Sequence, residues 1–294
     1  MFSLKRKTYG EQTFDFINIL LMLLVCFATL YPIWYVLVNS FNEGTDAMRG
    51  GIYWWPRIFS FGNYEAVFDN SGIMTAMFVT VAKTLIGTVT HVLFTAMVAY
   101  ALSKKDLIGG RIYLVIGTIT LFFSGGLIPS FLLIRDLGLF DTFGVYIIPA
   151  LFSFFNLIIF MTFFREIPDS LEEAARIDGA NDFTIFIRVV LPVSMPVLAT
   201  IALFQGVSQW NDYFAGMIYI NNPDLQPIQT YLYRIIAQSS SNQMAADAGI
   251  VNKTVTSQSI KLATMVITTM PIVVVYPFLQ KYFVQGMMIG SVKG

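Results

Sequence analysis

Six stretches of this chain are too long and too apolar to be left in water, and they limit the fold before any motif is considered. They cover about residues 18–41, 73–102, 112–134, 143–164, 189–220 and 261–284. About 20 helical residues cross a hydrocarbon core roughly 30 Å thick, and apolar runs of 18 or more residues mark such crossings. The expected fold is therefore an all-α membrane protein of six transmembrane helices, forming a single transmembrane domain over residues 1–294. The first run, "NILLMLLVCFATLYPIWYVLVNSF", has the basic flank of a signal peptide. It is too long for an apolar h-region and lacks a small-residue cleavage site, so it reads as a retained span. Cys26 lies inside that run as the single cysteine, which excludes a disulfide framework and a thiolate metal site.

An even number of spans puts both termini on one side. With the termini in the cytoplasm, Lys5, Arg6, Lys7, Lys104, Lys105, Arg111, Arg165, Arg176, Arg188, Lys281 and Lys293 fall inside, 11 basic residues against six outside. All lie in short loops, where an excess of Lys and Arg marks the cytoplasmic face. Proline occurs in five of the six runs, and "FFSGGLIPS" (122–130) sets two glycines before Pro129, so the third span is expected to be broken or bent. Loops 42–72 and 221–260 are the extended polar segments outside, and 237–249 within the second reads as a flexible excursion.

The chain is 56% hydrophobic and 12% charged, yet nine of the 24 residues from Arg165 to Arg188 carry charge. At about 2.5–3.5 kcal/mol per charge at the bilayer centre, burying this segment costs on the order of 20 kcal/mol, which excludes it from the membrane. The orientation places it in the cytoplasm between spans four and five. Ser170-x-x-Glu173 has the form of a capping box that starts a helix. Asp169, Glu172, Glu173 and Arg176 then share one face, Leu171, Ala174 and Ala175 the other, and Gly179 supplies a stop or bend. Beyond it, Phe183, Phe186, Ile187 and Val190 recur at helical spacing as a second apolar face. Six acidic residues against three basic ones suit anionic lipid headgroups poorly, so the segment reads as a docking surface for another protein.

Glu173-Ala174-Ala175, then Asp178-Gly179-Ala180, then Leu191-Pro192 resembles the EAA loop of permease subunits in bacterial ABC importers, specifically the carbohydrate-uptake branch. One departure is Val189, where the family usually has Ile. "TLYPIWYVLVNSF", "SQWNDYF", "PIQTYL" and "GMMIGSVKG" agree with the same family, and "FFSGGLIPSFLLIRDLGLFDTF" (122–143) resembles the oligo- and polysaccharide group. The resemblance implies that the loop over 165–192 forms coupling helices that dock on a cytoplasmic ATPase, whose closure drives alternating access. Glu173 would meet a basic residue there, Ala174 and Ala175 would permit close approach, and Gly179 would shape the elbow; Glu173 also fits the capping role. The implied partners are a second homologous permease, two ATPase subunits holding ATP and Mg, an extracellular sugar-binding protein and the lipid bilayer of the bacterial plasma (inner) membrane. No GxxxxGK[ST] loop occurs, so ATP belongs to another chain and this one is a non-catalytic transport subunit that binds no cofactor of its own. Zero net charge gives no ground for a nucleic-acid partner.

Ionisable residues inside spans are functional candidates by default. Lys83 and His91 lie eight residues apart in span two, and Asp212 lies in span five beside Gln205, Gln209, Trp210 and Asn211. Amides, a carboxylate and an aromatic face are what sugar recognition needs, so Gln209, Trp210, Asn211, Asp212 and Lys83 are candidates for the substrate path. Interhelical glue, such as a Lys83–Asp212 pair, explains the same residues, and His91 reads as a satisfied bundle residue. The alternative function is a proton-coupled secondary transporter using Lys83, His91 and Asp212. One His and one Cys leave no metal site and no enzymatic constellation.

Overall fold

The computed structural model describes residues 8–246 and 256–291. Lys5, Arg6, Lys7, Lys253 and Lys293, counted in the orientation, lie outside them. The regular secondary structure of the described residues is helical, with no strand among them and one isolated bridge between Asn42 and Phe59. In chain order the helices are α1 (Tyr9–Ser40), α2 (Gly44–Met48), α3 (Gly62–Phe68), α4 (Ser71–Ser103), α5 (Gly110–Phe122), α6 (Leu127–Asp136) and α7 (Phe154–Phe164). There follow α8 (Asp169–Ile177), α9 (Asp182–Ile185), α10 (Leu191–Val193), α11 (Met195–Asn211), α12 (Phe214–Tyr219), α13 (Ile228–Ala246) and α14 (Ser257–Ser291).

Helix ends follow local chemistry that the apolar runs conceal. α1 begins nine residues before its apolar run because Thr8 and Glu11 close a capping box, each side chain bonding the other's backbone N–H. At α14 the Thr256 hydroxyl accepts from the Ser259 N–H and the Ser259 hydroxyl accepts from the Thr256 N–H, which starts that helix ahead of residue 261. The flexible excursion expected over 237–249 is instead helical through Ala246, since no Gly or Pro interrupts it there; 247–249 lie outside the described residues.

α1, α4 and the Gln258–Val275 stretch of α14 are each long and apolar enough to cross a membrane. Two further helix pairs qualify only when a sharp bend is allowed. α5 and α6 meet at 118°, where Gly126, the second of the glycine pair that announces the break, takes φ +83°. Asp182–Val193 and Met195–Asn211 meet at 83°, with Pro192 and Pro196 each in the first turn of the helix it starts. Over 143–164 the chain makes a 3₁₀ turn at Phe143–Tyr146, passes Pro149 and only then forms α7, 11 residues long. That is about 16 Å of helix, half a bilayer core.

The chain divides into two compact units, one of residues 1–69 and 235–267, the other of 70–234 and 268–294. In the first, a buried polar knot follows α1. The Asp46 carboxylate accepts from the Asn42 amide and the Arg57 guanidinium, both at 3.0 Å, and Asn63 donates to the carbonyls of Ser40 and Asn42. The Asn42 hydrogen bond, aided by Arg57, holds the Asp46 carboxyl below the usual carboxylate range against the opposing pull of burial.

In the second unit, α4 packs against α7 and α11. Their shared core holds Ala96, Ala99, Leu157, Phe160 and Ile201, and it also takes in Ile185, Phe186 and Val190 from the charged segment. Small residues on α4 let the Phe-rich α7 approach closely. At the α5–α7 contact, the ring of Phe154 occupies the space that a Cβ on Gly117 would need. Gly117→Leu is therefore expected to cost about 1–3 kcal/mol by overpacking. Thermal unfolding in detergent checks it, with Gly117→Ala losing less.

Candidate functional site

The charged segment folds as an elbow. α8 starts at Asp169 after Pro168, and no side chain caps it, so the capping box expected at Ser170 does not form: Ser170 and Glu173 both lie within the helix. α8 ends at Ile177, and just beyond it Gly179 takes φ +83°, where the Ala180 N–H bonds to the Ala175 carbonyl and the Gly179 N–H to the Arg176 carbonyl. This is a left-handed terminus of the kind glycine adopts without strain. α9 then starts on Asn181, whose side chain accepts from the Thr184 N–H.

A π turn over Phe186–Val190 follows, and its extra residue rotates the face. Ile185, Phe186 and Val190 are buried, while Phe183 and Ile187 stay exposed, so the face expected at Phe183, Phe186, Ile187 and Val190 is only half realised. The inner side of α8 is tied to the end of α4. Lys104 pairs with Glu172, the Tyr100 hydroxyl donates to Glu172 at 3.3 Å, and the Lys104 ammonium sits 4.2 Å from the Tyr100 ring centre. Nothing in the local sequence signals this latch, whose partners are 68 and 72 residues apart. Ala175, Ala180 and Leu191 pack on the core, whereas Glu173, Ala174, Asp178 and Pro192 are exposed and Ile177 is 87% exposed. Among the described residues Glu173 has no ion-pair partner.

The second group of candidates surrounds the end of α11. Lys83, fully buried, donates to the Asp212 carbonyl at 2.8 Å and lies 3.4 Å from its Oδ2. The other carboxylate oxygen accepts from the Phe214 and Ala215 N–H groups in the first turn of α12. Gln209 donates to the Tyr146 carbonyl at 3.0 Å. Gln209 and Asp212 border a cavity of about 450 Å³ that Tyr146 and Tyr219 also line. Trp210 faces elsewhere: its indole N–H donates to the Thr268 carbonyl, and its ring lines a separate apolar cavity of about 320 Å³ with Leu85 and Pro271. The Asn211 amide turns back to the Val207 carbonyl. His91 lies 2.6 Å from the Ala150 carbonyl through Nδ1 and 2.9 Å from the Asn156 amide through Nε2. A carbonyl only accepts, so Nδ1 carries the proton and Nε2 accepts from Asn156.

LplC of Bacillus subtilis (strain 168) is 39% identical over 287 residues, covering 98% of this chain and 97% of that protein. The polygalacturonan/rhamnogalacturonan transport system permease protein YtcP of the same organism is 38% identical, over 97% and 99% of the two chains. A chain in the crystal structure of a bacterial ABC transporter that imports the acidic polysaccharide alginate superposes with a TM-score of 0.88. It is 34% identical, over 95% of this chain and 99% of that one. The model of the binding-protein-dependent transport system inner membrane components matches residues 1–289. The chain belongs to that family of membrane-embedded transport subunits.

Proposed function

We propose that the chain is a permease subunit of an ATP-driven ABC importer that moves an oligo- or polysaccharide into the cytoplasm by alternating access. In this reading six spans cross the bacterial plasma membrane with both termini inside, the bent α5–α6 pair serving as the third span and the segment ending in α7 as the fourth. A second, homologous permease completes the pathway, two ATPase subunits hold ATP and Mg, and an extracellular sugar-binding protein delivers cargo. The relative YtcP, named for polygalacturonan and rhamnogalacturonan transport, and the alginate importer support a saccharide cargo.

The observation that carries the proposal is the exposed α8 elbow joined to the membrane core by Glu172 on one side and by Ile185, Phe186 and Val190 on the other. A partner pushing on such a surface moves the spans it is built into. Glu173 presents outward a carboxylate with no ion-pair partner among the described residues, Ala174 presents a small side chain, and Ile177 adds an apolar contact at the elbow. Ala175 supports them from the core, Asp178 and Gly179 form the turn, and Leu191 with Pro192 lead into α11. Along the path, Gln209 and Asp212 border the passage and Lys83 anchors Asp212, while Trp210 packs behind it in the apolar cavity and Asn211 bonds within α11. The proton-coupled alternative is not favoured: His91 is satisfied at both ring nitrogens and Lys83 is committed to Asp212.

The test is ATP hydrolysis in proteoliposomes holding both permeases, the ATPase and the loaded binding protein. Glu173→Ala is expected to lower stimulated hydrolysis about tenfold, the loss of one charge-assisted contact worth roughly 1.5 kcal/mol. Hydrolysis that never depends on this chain would sink the ABC reading.

A further inference from the structure

The 450 Å³ cavity contains polar groups that the fold does not use. Four of its polar residues, Gln205, Ser208 and Gln209 within α11 and Asp212 at its C-cap, recur at i, i+3, i+4 and i+7. Gln209 and Asp212 are spent on the backbone and on Lys83. The Tyr146 hydroxyl donates to the Leu225 carbonyl, and the Ser130 hydroxyl to the Gly126 carbonyl. Gln205, Ser208 and the Tyr219 hydroxyl make no hydrogen bond among the described residues. A helix in lipid leaves polar side chains unpaired only where they face water or a polar ligand, because an unmet amide or hydroxyl is costly in hydrocarbon.

An aromatic surface adjoins these groups. The Tyr219 ring is stacked on Phe131, with centres 6.0 Å apart and planes at 18°, and Phe140 meets Phe131 edge-on at 5.7 Å. Amide, hydroxyl and flat aromatic face together match the hydroxyl rim and C–H face of a pyranose ring. The volume falls in the roughly 300–1,000 Å³ range of small-molecule sites. Charge narrows the match further. No Lys or Arg lines the cavity, and its one carboxylate is already neutralised by Lys83.

We propose that this cavity is a saccharide-binding segment of the translocation path, in which Gln205 and Ser208 hydrogen-bond sugar hydroxyls and Tyr219 supplies the stacking face, and that it reads hydroxyls rather than carboxylates. The inference rests on the sugar-permease reading above. If the cargo is a uronic acid, its charge is met by the partner permease and not by this chain.

The probes are trisaccharides in matched pairs, each uronic acid with its carboxyl-reduced form, taken up by the complete transporter in proteoliposomes. Gln205→Leu and Tyr219→Ala are expected to lower uptake of both members of a transported pair about tenfold and by similar factors. Gln205→Glu is expected to depress the acid further than its neutral form, because it places a carboxylate beside the cargo. Uptake at wild-type level in all three variants overturns the assignment of the cavity to the path. A loss confined to the acid in Gln205→Leu overturns the assignment to hydroxyls. Wild-type transporter that takes up no member of the panel, and shows no sugar-stimulated hydrolysis, refutes the sugar-permease reading and this inference with it.

Discussion

Gly179→Pro is expected to reduce uptake and stimulated ATP hydrolysis to less than a tenth of wild type while the chain still inserts in the membrane. Two physical effects combine at this position. Proline holds φ near −65°, whereas Gly179 sits at +83°, and proline also removes the N–H that donates to the Arg176 carbonyl. The terminus of α8 cannot form around it, so α8 and α9 lose their fixed angle. Insertion survives because Gly179 is exposed and no other group lies within 4 Å of where its side chain would begin. That open space also ranks the milder variants. Gly179→Ala meets no clash and suffers only from the left-handed backbone, at about 1–2 kcal/mol. Gly179→Asn should lose least, since Asn visits that region readily. Reconstituted transporter, normalised to the amount of chain in the membrane, gives the ranking Asn, Ala, Pro. Full coupling in the proline variant would remove the elbow from the mechanism.

Membrane residence is legible because it depends on summed composition: long apolar runs stay apolar whatever packs against them. The bend between α5 and α6 is legible too, since Gly125, Gly126 and Pro129 act through their own backbone chemistry. What stays hidden depends on competition between local signals or on contacts distant in sequence. Ser170-x-x-Glu173 and Thr8-x-x-Glu11 both have capping-box form, but Pro168 takes the N-cap of α8, so of the two only the Thr8 box forms. The π turn at Phe186–Val190 shifts the buried face by one residue, and periodicity at 3.6 residues cannot anticipate an inserted one. The polar stripe Gln205, Ser208, Gln209 and Asp212 can be found by spacing. Trp210 differs from Gln209 by about 100° around the helix, which turns it toward Leu85 and Pro271 and away from the stripe. Grouping Trp210 with its sequence neighbours brings together side chains that the helix separates.

Lys83→Met is expected to produce the largest loss of folded protein of any single change in the bundle. The Lys83 side chain is fully buried and meets an Asp212 carboxylate that is 31% exposed. Removing one member of a buried pair leaves the other charge unmatched, at about 3–5 kcal/mol; the partial exposure of Asp212 puts this case near the lower figure. The loss extends beyond the charge. Lys83 also donates to the Asp212 carbonyl, and Asp212 accepts from two first-turn N–H groups of α12 through its other oxygen, so the end of α11 and the start of α12 loosen together. Asp212→Asn keeps an oxygen for the Phe214 and Ala215 N–H groups but strands the ammonium. The double variant Lys83→Met with Asp212→Asn removes both charges and is expected to recover part of the yield, which a pair that merely coexists would not do. Monodisperse protein extracted in detergent, together with its melting temperature, reports all three. A separate measurement tells this structural pair from a proton relay. Uptake by the wild-type transporter with ATP supplied should be unaffected by a protonophore, whereas transport that stops when the proton gradient collapses would make Lys83 and Asp212 participants in energy coupling.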